Sequence, residues 1–219
     1  CVRVHPDAQV EVVVPRGTSR QHVSRFLAEH ESWIARRLAR LPLPKPEVFP
    51  PEALELTAVG ECWRIHVAAG RGRTRLQVIA PGLLQLRGAL DRADDLRRVL
   101  RRWVIEHGRA VLTPRVHARA ALNGLAVSAV QVRTQRTRWG SCSHRRVICL
   151  NAAVLFQPPR VLDYLIAHEL GHLRHMNHSA AFWRAVEGLE PDWRTLDREL
   201  LRGWERVPAW FRQRPTEDA

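Results

Sequence analysis

Apolar, largely β-branched residues run from Val10 to Val14 and stop at Pro15-Arg16-Gly17, which predicts a strand followed by a turn. Beyond it Val23, Phe26, Leu27, Trp33, Ile34, Leu38 and Leu41 recur at helical spacing, so a helix follows, capped by Thr18 or Ser19 and ending near Arg40. Prolines at 42, 44, 46, 50 and 51 then predict a semi-rigid connector over 42–51 that no helix crosses. Alternation resumes in Cys62–Val67 and in Arg75–Ile79, with Gly70 and Gly72 between, and this predicts a hairpin; Leu84-Gln85-Leu86 adds a third short strand. From Asp91 a long helix is expected, with Leu96, Val99, Leu100, Trp103, Val104, His107 and Val111 on one face. Pro114 should limit or kink it, and a second helical piece should reach Leu122 before Asn123-Gly124 closes it. Val127–Gln135 alternates as a strand, and Val147–Asn151 is its expected hairpin partner across a loop containing Arg138 to Arg146. After Pro158-Pro159 the remainder reads as helical. The class is therefore α+β, with a β-rich N-terminal subdomain over 1–90, a core over 91–205 and a C-terminal tail over 206–219.

Composition narrows this picture. With 45% hydrophobic and 26% charged residues in 219, the chain matches folded soluble domains rather than disordered or fibrous ones. It has no uninterrupted apolar stretch of about 18 residues, so no membrane-spanning helix is expected. Thirty-five Lys+Arg against 22 Asp+Glu leave a formal charge of +13, nearly all of it arginine because Lys45 is the only lysine. Such a surface suits a nucleotide or nucleic-acid partner, or is simply a solvated basic face. Cys1, Cys62, Cys142 and Cys149 show no CxxC spacing and are too sparse for a disulfide scaffold, which fits a cytoplasmic location. A first residue of Cys1 suggests a trimmed product.

The chemistry lies in His168-Glu169-Leu170-Gly171-His172, an HExxH motif. At about 100° per residue, positions i and i+4 differ by only about 40° around a helix, so His168 and His172 share a face and can share a metal ion. Glu169 lies one step round, within reach of a water on that metal, where a carboxylate serves as general base and then acid. Val161, Leu162, Leu165, Ile166 and Leu173 supply the helical apolar face the motif needs. Catalytic zinc takes three protein ligands and leaves a position for water. His178 is favoured as the third, because Asn177 tolerates the turn that swings it back; His175, placed on the same helix about 60° from His172, is the alternative. The metzincin pattern fails here: His175 occupies its glycine position, and Met176, the only methionine, allows no downstream Met-turn.

The run Arg138-Trp139-Gly140-Ser141-Cys142-Ser143, then Ile148-Cys149-Leu150-Asn151, then Tyr164 to His172, then Asn177 to Trp183, resembles the YgjP-like metallopeptidases, relatives of SprT-like proteins. The resemblance is strong over about residues 130–190 and looser before them. It implies a zincin-like (minigluzincin) core with the HExxH helix packed on a small mixed sheet and the RWGSC strand beside it. His168, His172 and His178 are then zinc ligands, Glu169 is the catalytic acid/base, and a protein or peptide is the substrate. YgjP-like proteins are also associated with nucleotide pyrophosphatase activity, and SprT-like relatives act on DNA-bound protein. A nucleoside triphosphate (UTP-type) pyrophosphatase and a basic nucleic-acid-binding module with structural zinc are therefore the alternatives.

Around the motif, Arg138, Trp139, Gly140, Ser141 and Tyr164 are candidates for substrate binding, although Trp139, Phe182 and Trp183 also suit a core. Tyr164, four residues before His168, suits either an oxyanion donor or a packed wall. Asp163 and Asp192 are candidates to orient a zinc histidine. Cys142 reads as a packed cysteine rather than a fourth ligand. Gly171, costing about 1 kcal/mol inside a helix, signals close packing against the neighbouring strand. Arg133, Arg136, Arg138, Arg145 and Arg146 suit an anionic substrate or an exposed strand face.

Overall fold

The computed structural model of the chain describes residues 2–4, 10–39 and 48–213. Cys1, Arg40, Leu41, Lys45, the connector prolines 42, 44 and 46, and the end of the tail, 214–219, lie outside the described residues. By contact the chain separates into two compact units, Cys1–Glu47 and Val48–Ala219.

In the first unit, β1 (Val2–Val4) pairs antiparallel with β2 (Val10–Val12), and α1 (Arg20–Ala39) follows. Ser19 starts that helix: its Oγ accepts from the backbone N–H of His22 at 3.3 Å.

The second unit opens with a four-stranded sheet of β3 (Ala53–Leu56), β4 (Glu61–Ala69), β5 (Arg75–Ala80) and β6 (Leu83–Gly88), in the order β3-β4-β6-β5. The expected β4–β5 hairpin does not form. β6 lies between the two, parallel to β4 and antiparallel to β5. The two strands differ in what they pack against: Leu84 and Leu86 of β6 are fully buried in the core, whereas β5 is exposed at every position except Leu76, so β6 takes the interior place and β5 the edge. Leu54, Leu56 and Ile65 line the same buried face, while Glu55, Arg64 and His66 point to water.

α2 (Ala93–Leu122) packs Leu96, Val99, Leu100, Val104, Leu112, Val116 and Ala120 inward. Pro114 was expected to interrupt it, yet the helix runs on. Pro114 and Ala110, whose carbonyl loses its partner, are both exposed, so the freed group faces solvent and is not buried unpaired. Asn123 and Gly124, at φ +62°, close the helix as expected.

A second sheet follows, built from β7 (Ala129–Arg133), β8 (Gly140–Cys142) and β9 (Val147–Asn151) in the order β7-β9-β8. The expected hairpin is again replaced: β9 runs parallel to β7, and its antiparallel partner is β8, a three-residue strand inside the segment read as loop. The turn between β8 and β9 closes through Arg146 N–H donating to the Ser143 carbonyl at 2.8 Å, with Arg146 at φ +58°. The rest is helical: α3 (Pro159–Gly171), α4 (Ala180–Leu189), α5 (Trp193–Leu201) and α6 (Ala209–Arg212), with short 3-10 turns between.

One hydrophobic core joins both sheets of this unit to α2, α3, α4 and α5. Residues 53–86, read with the N-terminal subdomain, supply Leu54, Leu56, Ile65, Leu84 and Leu86 to it. The segment read as a tail supplies Val207, Trp210 and Phe211, all buried.

Candidate metal centre

α3 starts with Pro159 at its first position, where a missing N–H costs nothing, and it is buried on almost every side. The histidine-bearing motif fills its last turn. His172 is already the residue that caps the helix, and Leu173, Arg174 and His175 donate back to the carbonyls of Leu170 and Gly171, turning the chain away. His175 therefore leaves the helix instead of continuing it, which corrects the placement expected from spacing. Its backbone carbonyl instead accepts from Nδ1 of His172 at 3.1 Å. The turn returns His178 to the motif, with Nε2 3.2 Å from Nε2 of His168. Ligand atoms of His168, His172 and His178 all lie within 4.8 Å of one another.

Glycine makes this turn-back possible. A Cβ on Gly171 would meet Val186 Cγ2 at 2.8 Å and Phe182 Cε2 at 3.1 Å, so the close neighbour is helix α4 and not a strand. α4 begins at Ser179, whose Oγ accepts from the Phe182 N–H. Its Phe182 stacks under the His172 ring, centroids 4.5 Å apart. Phe182 is core, as expected, whereas Trp183 is half-buried and forms a wall: it stacks on His178 at 5.7 Å and on Trp193 at 4.2 Å, with the Arg194 guanidinium over Trp193.

Glu169 is 3% exposed, and burial pushes its carboxyl up to about 8. Its Oε2 is buried with no hydrogen-bond partner, and the carboxylate lies against Gly140, where a Cβ would stand 2.9 Å from Glu169 Cδ. Burial lowers His168 to about 3, helped by His172 and His178, and burial also lowers His172. Both rings are thus neutral at physiological pH, as ligands must be. Nδ1 of each ring is engaged away from the triad, that of His172 donating to the His175 carbonyl and that of His168 lying 3.3 Å from the Tyr164 hydroxyl, which leaves Nε2 of each for an ion. Three imidazoles whose ligand atoms converge, with a buried and partly unpartnered carboxylate on the residue after His168, form a donor set that fits a divalent cation.

The remaining predicted residues separate. Tyr164 is fully buried next to His168. Gly140 and Ser141 are half-buried on β8, an edge strand. Trp139 is 9% exposed and stacks on Trp204 at 4.3 Å, so it packs as core. Arg138 is exposed, as are Arg133, Arg136, Arg145 and Arg146, and among the described residues none of the five forms an ion pair. Cys142 is half-buried, and burial with the nearby Glu169 pushes its thiol up to about 11. Asp163 and Asp192 do not orient a histidine: Asp163 accepts from Arg115 at 3.0 Å and Asp192 pairs with Arg160. The acid linked to a triad histidine is Asp197, which sequence reasoning missed: it accepts at 2.6 Å from the Tyr164 hydroxyl that lies beside His168. Asn151, one of the residues that carry the family resemblance, ties two segments together. Its buried amide donates to the carbonyls of Gln135 and Arg138, both at 2.8 Å, and so holds the segment leading into β8.

The family model described as YgjP-like, metallopeptidase domain, matches residues 1–202. The chain belongs to the YgjP-like family. As a YgjP-like metallopeptidase domain it is expected to carry a divalent metal, and the histidine triad is where the described residues could hold one. Two solved structures are similar over 40% of this chain. The metallopeptidase zymogen of Pyrococcus abyssi abylysin shares 25% identity, with 89% of that chain covered and a TM-score of 0.37. That of Methanocaldococcus jannaschii jannalysin shares 19%, with 90% covered and a TM-score of 0.35. No curated protein matches the sequence. No helix among the described residues is long and apolar enough to cross a membrane.

Proposed function

We propose that this YgjP-like domain is a zinc-dependent peptidase with a zincin-like core, in which His168, His172 and His178 hold the ion and Glu169 is the catalytic acid/base. The observation that carries the reading is the buried Glu169 carboxylate, one oxygen unpartnered, beside three imidazoles whose ligand atoms lie within 4.8 Å of one another. Held by these three histidines, a zinc ion would leave a position for water and would supply the Lewis acidity that lowers the pKa of that water and polarises a carbonyl. Glu169 accepts the proton of the attacking water and delivers it to the departing amine. Its raised proton affinity, caused by burial, suits a group that must both take up and release a proton near neutral pH. Gly140, by lacking a side chain, leaves the carboxylate its place, and we assign substrate contacts to its neighbour Ser141 on β8 and to the exposed Arg138 that precedes the strand.

Glu169→Gln should retain the metal of the parent and lose at least about 100-fold in hydrolysis of an unstructured protein substrate, the smaller end of what a positioned acid/base supplies. Parent-like turnover in that variant, measured at equal metal content, would sink the assignment.

A second reading is favoured by the five exposed arginines around β7–β9, none ion-paired among the described residues: the same water and carboxylate would cleave a nucleoside triphosphate. Pyrophosphate release from the four ribonucleoside triphosphates, compared with a chelated control, decides between the two substrates.

A further inference from the structure

One chain of contacts from the triad ends on a residue far outside the motif. Tyr164 sits one turn before His168 on α3 and is fully buried. Its hydroxyl donates to Oδ1 of Asp197, on α5, at 2.6 Å and lies 3.3 Å from Nδ1 of His168. With the hydroxyl proton engaged by the carboxylate, the phenol oxygen can only accept from the imidazole. Nδ1 of His168 therefore carries the ring hydrogen, and Nε2 keeps the lone pair that faces His178. Packing alone does not require this arrangement, because a phenylalanine would fill nearly the same space. Asp197 forms no ion pair among the described residues, so the Tyr164 hydroxyl does not share its carboxylate with an arginine.

We infer that Asp197 and Tyr164 form a relay that positions His168 as a metal ligand, holding its ring and tautomer and raising the basicity of Nε2. The inference rests on the reading of the triad as the metal site, and both residues are positioning residues. A carboxylate that polarises a ligand's far nitrogen tightens metal binding, and its loss typically weakens binding 10- to 100-fold. Here the effect passes through a phenol, which turns the orientation of His168 into a property of the α3–α5 contact.

The test uses the whole chain, stripped of metal by chelation and titrated with Co2+ at neutral pH, with the visible absorption of the bound ion recorded. Tyr164→Phe and Asp197→Ala should bind Co2+ about 10- to 100-fold more weakly, with a shifted absorption band because the His168 ring is no longer held. Asp197→Asn keeps an acceptor for the hydroxyl and should recover most of the affinity lost in Asp197→Ala. A mere packing defect would lower the melting temperature of the metal-free protein and leave the absorption of bound Co2+ unchanged; that result overturns the relay. Parent-like affinity and absorption in Tyr164→Phe and Asp197→Ala, while His178→Ala loses the ion, overturn the relay and leave the metal site standing. If His178→Ala also binds Co2+ like the parent, the triad is not the metal site and both readings fall.

Discussion

Gly140 is held to glycine by what stands next to it. A methyl there would meet the Glu169 carboxylate, and that carboxylate, at the end of a side chain, is the part able to yield. Gly140→Ala should therefore leave metal content intact while lowering turnover about 10-fold or more, because a displaced acid/base loses much of its effect. Steady-state rates at equal metal loading check this, and a variant as fast as the parent would show that the carboxylate has room to spare. At this scale HExxH was legible from spacing alone, because i and i+4 on a helix is a local rule. The role of Gly140 was not, since nothing local announces that a buried carboxylate from another element lies on its α-carbon. Asp197 escaped for the same reason: it is one of several acids on amphipathic helices, and only the approach of α5 to α3 sets it apart.

Among elements, the close approach of α4 to α3 sets where the third histidine lands. Gly171 permits that approach, with Val186 and Phe182 against its face. Gly171→Ala gains helix propensity, about 1 kcal/mol, yet must push α4 back, and overpacking of a close contact costs about 1–3 kcal/mol. The net expectation is a lower denaturant midpoint with weaker metal binding, since Phe182 stacks under His172. Adding Val186→Ala should restore part of both, because the two substitutions act on one contact; equal losses in single and double variants would place the strain elsewhere. Helix positions were largely legible, as apolar periodicity is written into consecutive residues. Strand partners were not. β4 with β5, and β7 with β9, are plausible hairpins along the chain, but the strands with the most buried side chains, β6 and β9, take the centres of their sheets.

For the whole molecule, burying the site's titratable groups makes stability depend on pH. Glu169 is raised from 4.5 to about 8, so between those values the folded, metal-free chain binds a proton that the unfolded chain has released, and stability falls as pH rises. His168 is lowered from 6.5 to about 3, so between those values the unfolded chain binds the extra proton, and stability falls as pH drops. From 4.5 to 6.5 the two slopes oppose each other. From 6.5 to 8 the Glu169 slope is left unopposed by His168, and the metal-free protein should lose stability with rising pH there. Urea unfolding at several pH values reads this directly. Glu169→Gln should flatten the decline, and a decline that persists in the variant would assign it to other groups.

The sequence by itself determined which residues could bind a metal, the helix that carries them and the basic character of the surface. These follow from residue type and from spacing within a few turns of backbone. His178 is already favoured by spacing; tertiary structure decided that its ring stands beside those of His168 and His172 and that His175 supplies a carbonyl instead. It also decided that Glu169 is buried against Gly140, and that Asp197 rather than Asp163 or Asp192 is linked to a histidine, through the Tyr164 hydroxyl. The division has a physical origin. Periodicity reports the local repeat of one segment, whereas desolvation and the choice of partner depend on which other segments the core brings alongside, and distant parts of the chain share that choice.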